Sequence, residues 1–254
     1  MLRKHLGQHF LRDQSIIEQW MITVRPQSTD IFLEIGPGDG ALSRPLLPKI
    51  SKLYAIEIDQ HWAGKLQAYA QDSGKDLTLK VADALTVDFN DWIDASQYRL
   101  IGNLPYNIST PLLFHFLRFR HRICDMHFLL QKEVVERAAA HPGSKIYGRL
   151  SVMLQYYCAA EQLFAVPASA FYPPPKVESA LLRLKPIRPV LTANNEDHFA
   201  RIVQKAFSQR RKMLRKSLSA EALLAKDWQN IAIDPSLRPE QLRVEDFVLL
   251  SNYI

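Results

Sequence analysis

Cysteine is scarce in this chain of 254 residues: only Cys124 and Cys158 occur, far apart and each among apolar neighbours. Two isolated thiols build neither a disulfide framework nor a Cys-x-x-Cys metal site, and their scarcity fits a reducing compartment. Both are read as packing residues. Long apolar runs are missing too. No uncharged stretch approaches the roughly 18 residues that span a bilayer. Met1-Leu2-Arg3-Lys4-His5 leads into polar residues without the apolar core of a secretory leader. The expectation is a soluble, cytoplasmic protein with no membrane contact. Acidic residues are outnumbered, 26 Asp plus Glu against 32 Lys plus Arg, which leaves a formal charge of +6. Such a surface favours polyanions, nucleic acid foremost. With 47% apolar residues the chain can bury one sizeable core and a small second one, which excludes disorder and fibre.

Five short runs rich in β-branched and aromatic residues read as strands: Ile31 to Ile35, Leu53 to Ile58, Leu77 to Val81, Tyr98 to Ile101 and Met126 to Leu130. The stretches between them, such as Gln60 to Gln71 and Thr110 to Phe119, are long enough for crossover helices. Strand and helix alternation specifies an α/β fold with a largely parallel, doubly wound sheet. Phe171-Tyr-Pro-Pro-Pro-Lys-Val-Glu-Ser179 then reads as a rigid loop feeding an edge hairpin that contains the strand Ala180 to Leu184. Pro186-Ile-Arg-Pro189 and Asn194-Asn195 resemble a linker. Beyond them the strand signal disappears, and a helical domain is expected from about Glu196. The boundary is placed between residues 1–188 and 189–254.

Glu34-Ile-Gly36-Pro-Gly38-Asp-Gly40 follows the first strand and precedes a helix expected near Ala41. Glycines let the backbone turn sharply and approach a ligand without a Cβ in the way. The spacing Gly36-x-Gly38-x-x-Ala41 also meets a dinucleotide fingerprint, so the loop alone does not choose a cofactor. Glu57, closing the second strand, can accept from ribose hydroxyls, as in NAD sites. Asp83, after the third strand, supplies an acceptor for an adenine amino group. The end of the fourth strand is more particular. In Asn103-Leu104-Pro105-Tyr106 the Asn side chain and the Leu104 carbonyl are acceptors beside a flat aromatic face, a set that suits an amino group on an aromatic ring. Its place at a strand's carboxyl end is where open α/β sheets bind ligands.

These residues resemble the S-adenosylmethionine-dependent RNA adenine-N6 methyltransferases, and specifically the small-subunit (16S) ribosomal RNA dimethyladenosine transferase (KsgA/RsmA) family. The resemblance covers nearly the whole chain. It rests on Leu6-Gly-Gln-His-Phe-Leu11, Glu34 to Gly40, Asn103 to Tyr106, Phe171 to Ser179, and Ala206-Phe-Ser-Gln-Arg-Arg-Lys-Met-Leu-Arg215. It implies a Rossmann-like class I S-adenosylmethionine-dependent methyltransferase sheet with a small C-terminal all-helical domain for rRNA recognition. By this resemblance His9, Leu11, Gly36, Gly38, Glu57, Asp83 and Asn103 hold S-adenosylmethionine. Asn103, Leu104, Pro105, Tyr106 and Phe171 form the catalytic set, with Tyr106 and Phe171 stacking on opposite faces of the target base. His9 and Lys216 stand where the family usually, or often, carries Asn. The implied reaction adds two methyls to each of two adjacent adenosines near the 3′ end of 16S rRNA, late in assembly of the 30S particle, by a monomer.

Between Arg201 and Ala220 lie seven basic residues and no acidic one. Arg210, Arg211, Lys212, Arg215 and Lys216 from this run, with Arg118, Arg120 and Arg122, form the expected RNA surface. No metal is expected: His5 and His9 have helical spacing but lack partner ligands. Two rival readings stand beside the resemblance. An NAD-dependent oxidoreductase shares the glycine fingerprint but lacks a His and carboxylate placed for proton transfer to a carbonyl. A catalytically silent assembly or nucleic-acid-binding factor would keep the fold without turnover.

Overall fold

Apart from Leu77 to Val81, which carries Thr78 and Lys80 at alternate positions, the strand runs read from the sequence are near-continuous hydrophobic stretches, the pattern of strands covered on both faces. In the computed structural model, which describes residues 9–209, 211–221 and 225–254, the five runs lie side by side in one sheet, with Leu77 to Val81 at its edge. The elements are β1 (Phe10–Leu11), α1 (Gln14–Val24), β2 (Ile31–Ile35), α2 (Ser43–Leu46), β3 (Lys52–Glu57), α3 (Gln60–Asp72), β4 (Leu77–Val81), α4 (Phe89–Trp92), β5 (Tyr98–Asn103) and α5 (Ser109–Leu117). They continue with β6 (Ile123–Gln131), α6 (Lys132–Ala138), α7 (Arg149–Tyr157), β7 (Cys158–Val166), β8 (Phe171–Tyr172), β9 (Ser179–Pro186), α8 (Glu196–Ser208), α9 (Leu214–Ser217), α10 (Ala225–Ile231) and α11 (Val244–Tyr253). His5, Leu6, Gly7, Gln8 and Arg210 lie outside the described residues.

The main sheet runs β4-β3-β2-β5-β6-β9-β7, with β4 to β6 mutually parallel and β9 antiparallel to β6. The chain crosses from one half of the sheet to the other between β2 and β5, so the crevice at their carboxyl ends is the topological switch point. A separate two-stranded ribbon pairs β1 with β8, setting Phe10 opposite Tyr172 and Leu11 opposite Phe171. Asp13 caps α1 by accepting from the backbone N–H groups of Ser15 and Ile16, and Ile17, Trp20, Met21 and Val24 bury one face of that helix. On β5, Arg99 bonds Asp30 and Asp125, each at 2.8 Å, and ties the amino ends of the central strands together.

Three expectations change. The strand Ala180 to Leu184 is real, but β9 is internal and β7, not foreseen, forms the edge. Cys124 is exposed and donates to Gln97 Oε1 at 3.4 Å, whereas Cys158 is buried as read. The division near residue 188 also moves. The first compact unit holds the described residues of Met1–Val135 together with Glu161–Pro186; the second holds Glu136–Ala160 and Ile187–Ile254. The segment 136–160 joins the later helices because α7 is buried on almost every side and packs on α8 and α11. Such a helix lacks the polar stripe that would reveal it in sequence. The elements described after residue 187 are helical. Among the described residues no helix is long and apolar enough to cross a membrane.

Candidate active site

Parallel register brings the carboxyl ends of β2, β3, β4 and β5 to one edge of the first unit. A cleft of about 250 Å³ opens there. His9, Leu11, Gly36, Gly38, Glu57, Asp83, Asn103, Leu104, Pro105 and Tyr106 all line it. Those from Gly36 to Tyr106 are neighbours for one reason: each terminates a strand of the main sheet or lies in the loop after it, whereas His9 and Leu11 come from β1 and the residue before it.

The glycine loop takes backbone angles that L side chains rarely adopt, with φ of +64° at Gly36 and +53° at Gly38. A Cβ at Gly36 would enter open space, and one at Gly38 would meet Phe10 Cε1 at 2.9 Å. Glu57 accepts the Gly38 N–H on Oε2 and the Asp59 N–H on Oε1, each at 2.9 Å. Two oxygens carry about four lone-pair sites, so this held carboxylate keeps capacity for ligand hydroxyls. Burial pushes its pKa up against the opposing pull of those N–H donors. Asp83 accepts from Leu85 N–H at 2.9 Å through Oδ1 only. An open space over one glycine, a fixed carboxylate at the second strand end and an acceptor at the third fit an adenosyl ligand carrying an amino-acid tail.

Glu34 was not foreseen as a separate site residue. It is 1% exposed, lines the same cleft and accepts from Ser43 Oγ at 2.5 Å, and burial pushes its pKa up to about 8. The signal was in the sequence, an acid within the apolar run of β2.

Over the cleft runs β1, tied down at several points. Asn103 Nδ2 donates to the His9 carbonyl at 2.8 Å. The His9 ring stacks on Tyr106, with centroids 5.5 Å apart and planes 27° apart. His9 Nδ1 lies 2.7 Å from the Pro173 carbonyl. A carbonyl can only accept, so Nδ1 carries the proton. The Tyr106 hydroxyl and Ser179 Oγ share a bond of 2.6 Å. Phe10 lies 5.2 Å from the Trp62 ring, and Arg12 pairs with Asp39 at 2.7 Å. Phe171 departs from its expected role: it is 3% exposed, packed with Leu11 and Ile17 in the core, and does not line the cleft. Strand alternation turns its ring inward.

The basic residues divide. Arg122 is a structural clamp that donates to the carbonyls of Asn90 at 3.1 Å, Ile93 at 2.6 Å and Ala95. Its expected place on an RNA surface is therefore corrected. Arg120 is half-buried and donates to the Leu117 carbonyl at 3.1 Å, while Arg118 is exposed. In the second unit Arg211, Lys212, Arg215 and Lys216 are exposed around the buried anchor Leu214.

A switch-point cleft with this glycine loop and acidic strand ends defines the fold class, that of class I S-adenosylmethionine-dependent methyltransferases. Structures that superpose on the chain agree: a dimethyladenosine transferase from Plasmodium falciparum has TM-score 0.83 at 25% identity, covering 95% of this chain and 96% of that one. The 23S rRNA methyltransferase ErmE has TM-score 0.75 at 23% identity, covering 96% and 98%. The family is narrower than the fold. The chain belongs to the ribosomal RNA adenine dimethylase family, whose model matches residues 1–254. It is similar to the ribosomal RNA small subunit methyltransferase A of Legionella pneumophila, 50% identical over 254 residues, covering 99% of this chain and 97% of the relative. The protein of that name from Chromobacterium violaceum is 47% identical over 253 residues, covering 99% and 95%.

Proposed function

We propose that this protein transfers methyl groups from S-adenosylmethionine to N6 of two adjacent adenosines near the 3′ end of small-subunit (16S) rRNA, acting as a monomer in the cytoplasm on an assembling 30S particle. The observation that carries the reading is the position of Asn103 to Tyr106, in the same cleft as Glu57 and Asp83 and at the end of β5, the strand paired with the one that feeds the glycine loop. Bound S-adenosylmethionine supplies an activated methyl group on a sulfonium.

The chain supplies placement and charge complementarity. Glu57 would hold the ribose, Asp83 the adenine amino group, and the loop Gly36 to Gly38 the amino-acid end, under the roof of His9 to Leu11. Asn103, its amide nitrogen spent on His9, keeps Oδ1 as an acceptor for an N6 hydrogen of the target. The Leu104 carbonyl, held before Pro105, is the second acceptor. Holding both hydrogens out of the ring plane favours a pyramidal N6 whose lone pair is available for attack, a stabilisation larger in the transition state than in the ground state. Neutral acceptors are too weakly basic to keep the proton released from N6, which passes to water. Tyr106 presents a face for the base, and at roughly 1 to 3 kcal/mol per stacked base such contacts offset part of the few kcal/mol needed to extrude a nucleotide.

The test is transfer of label from S-adenosylmethionine into unmethylated small and large ribosomal subunits in parallel. Label confined to the small subunit supports the proposal. Label confined to the large subunit, or none in either, defeats it.

A further inference from the structure

With Phe171 turned into the core, the aromatic ring that reaches solvent on β8 belongs to its neighbour: Tyr172 is 61% exposed. The segment after it is anchored to the candidate active site at both ends, through His9 to the Pro173 carbonyl and through Tyr106 to Ser179. Pro173, Pro174 and Pro175 fix φ at three successive positions and remove three backbone donors, so the crown between the anchors is stiff and seeks no backbone partner. Lys176 and Val177 are exposed on that crown. The nearby carboxylate of Glu178 is taken by Lys132 at 2.8 Å, and among the described residues no carboxylate pairs with Lys176. A flat exposed ring and an ammonium group on a rigid backbone are what an unpaired nucleotide requires, one for its base and one for its phosphate.

We propose that segment 172–176 binds the RNA strand beside the target adenosine, with Tyr172 stacking on a flanking unpaired base and Lys176 contacting a backbone phosphate. The site rests on the rRNA reading given above. Because the crown is tied to His9 and Tyr106, a strand held there fixes where the target base enters the cleft, and its loss falls on RNA binding rather than on cofactor binding.

Tyr172→Ala, Tyr172→Phe and Lys176→Ala in the full chain test this, with unmethylated small ribosomal subunits as the probe. Tyr172→Ala should weaken subunit binding and raise KM for subunits about 5- to 150-fold, the range set by loss of one stacked base, with kcat within about twofold. Tyr172→Phe should restore both. Lys176→Ala should lower the slope of log affinity against log salt by about one. S-adenosylmethionine affinity and melting temperature should match wild type in all three. Alanine variants that bind subunits with wild-type affinity and salt slope overturn the proposal, as does an equal loss of cofactor and subunit binding, which marks a merely structural role. Wild-type protein that binds subunits but transfers no methyl defeats the function reading instead. Direct subunit binding by the variants still decides this site in that case.

Discussion

Asn103 Nδ2 donates to the carbonyl oxygen of His9 at 2.8 Å, and this one bond fixes which way the Asn103 amide faces. An unconstrained amide offers two donors and an acceptor in either orientation. Once the nitrogen is held by the strand that roofs the cleft, the oxygen is the end left for a substrate amino group. The same residue, His9, braces Tyr106 through its ring, so one roofing residue positions both the hydrogen-bonding and the stacking parts of the site.

Gly38→Ala should weaken S-adenosylmethionine binding by about 5- to 150-fold. The added Cβ lies 2.9 Å from Phe10 Cε1, and the residue's φ of +53° strains any L side chain. Strain of that kind costs of order 1–3 kcal/mol. Isothermal titration calorimetry measures the loss, and an unchanged Kd would show that Phe10 moves aside without consequence.

Glu57→Gln removes the charge while keeping the shape, and turns one accepting oxygen into a donor that faces the N–H of Gly38 or Asp59. Hydrogen bonds to charged groups are worth about 1.5–3 kcal/mol, so cofactor affinity should fall roughly 10- to 150-fold. Equilibrium binding with labelled S-adenosylmethionine checks this. NAD should show no competition in the same assay.

Glu34 gives stability a pH dependence of defined sign. Burial pushes its pKa up to about 8, whereas an unfolded glutamate ionises near pH 4.3. Between those values the folded chain holds a proton that the unfolded chain has released, so this contribution is full below the lower pKa and is lost as pH rises toward the upper one. Glu57 shifts in the same direction, so the informative comparison is wild type against Glu34→Gln. The melting temperature of wild type relative to the variant should fall from about pH 5 to about pH 8. A relative rise would mean that Glu34 is ionised in the folded protein.

Arg122→Ala and the double change Arg211→Ala/Lys212→Ala should separate a structural arginine from basic residues proposed to meet RNA. Loss of the Arg122 clamp on the 90–95 backbone should lower the melting temperature by about 5–10 °C and leave the salt dependence of subunit binding unchanged. The double variant should melt as wild type does and lower the salt slope by about two. Circular dichroism and filter binding report the two quantities.

Much of this was legible before the structure. Ile31 to Ile35 and Leu77 to Val81 are strands at those bounds, the first because a central parallel strand covered on both faces demands a nearly continuous apolar run, the second because an edge strand alternates apolar and polar residues. Glu57, Asp83 and Asn103 were legible as candidate site residues because Glu57 and Asn103 end strands of the main sheet and Asp83 follows one. Other features depend on partners that are distant in sequence. Nothing near Phe171 says that its ring pairs across to Leu11 and turns inward, and nothing near Arg122 discloses the carbonyls at 90–95. β9 reads as an edge strand until β7, whose burial is mostly partial, covers it. Helix α7, buried at seven of its nine residues, gave no sign of the unit to which it belongs.

The most direct test of the account is to digest small ribosomal subunits after incubation with S-adenosylmethionine and either wild-type or Asn103→Ala protein, and to resolve their nucleosides by mass spectrometry. The account predicts N6,N6-dimethyladenosine at two adjacent sites near the 3′ end of the rRNA with wild type. With the variant, turnover should be about 100- to 1,000-fold lower and cofactor affinity within a fewfold of wild type. Dimethyladenosine formed at undiminished rate by Asn103→Ala, or a modified nucleoside other than N6-methylated adenosine from wild type, would contradict it.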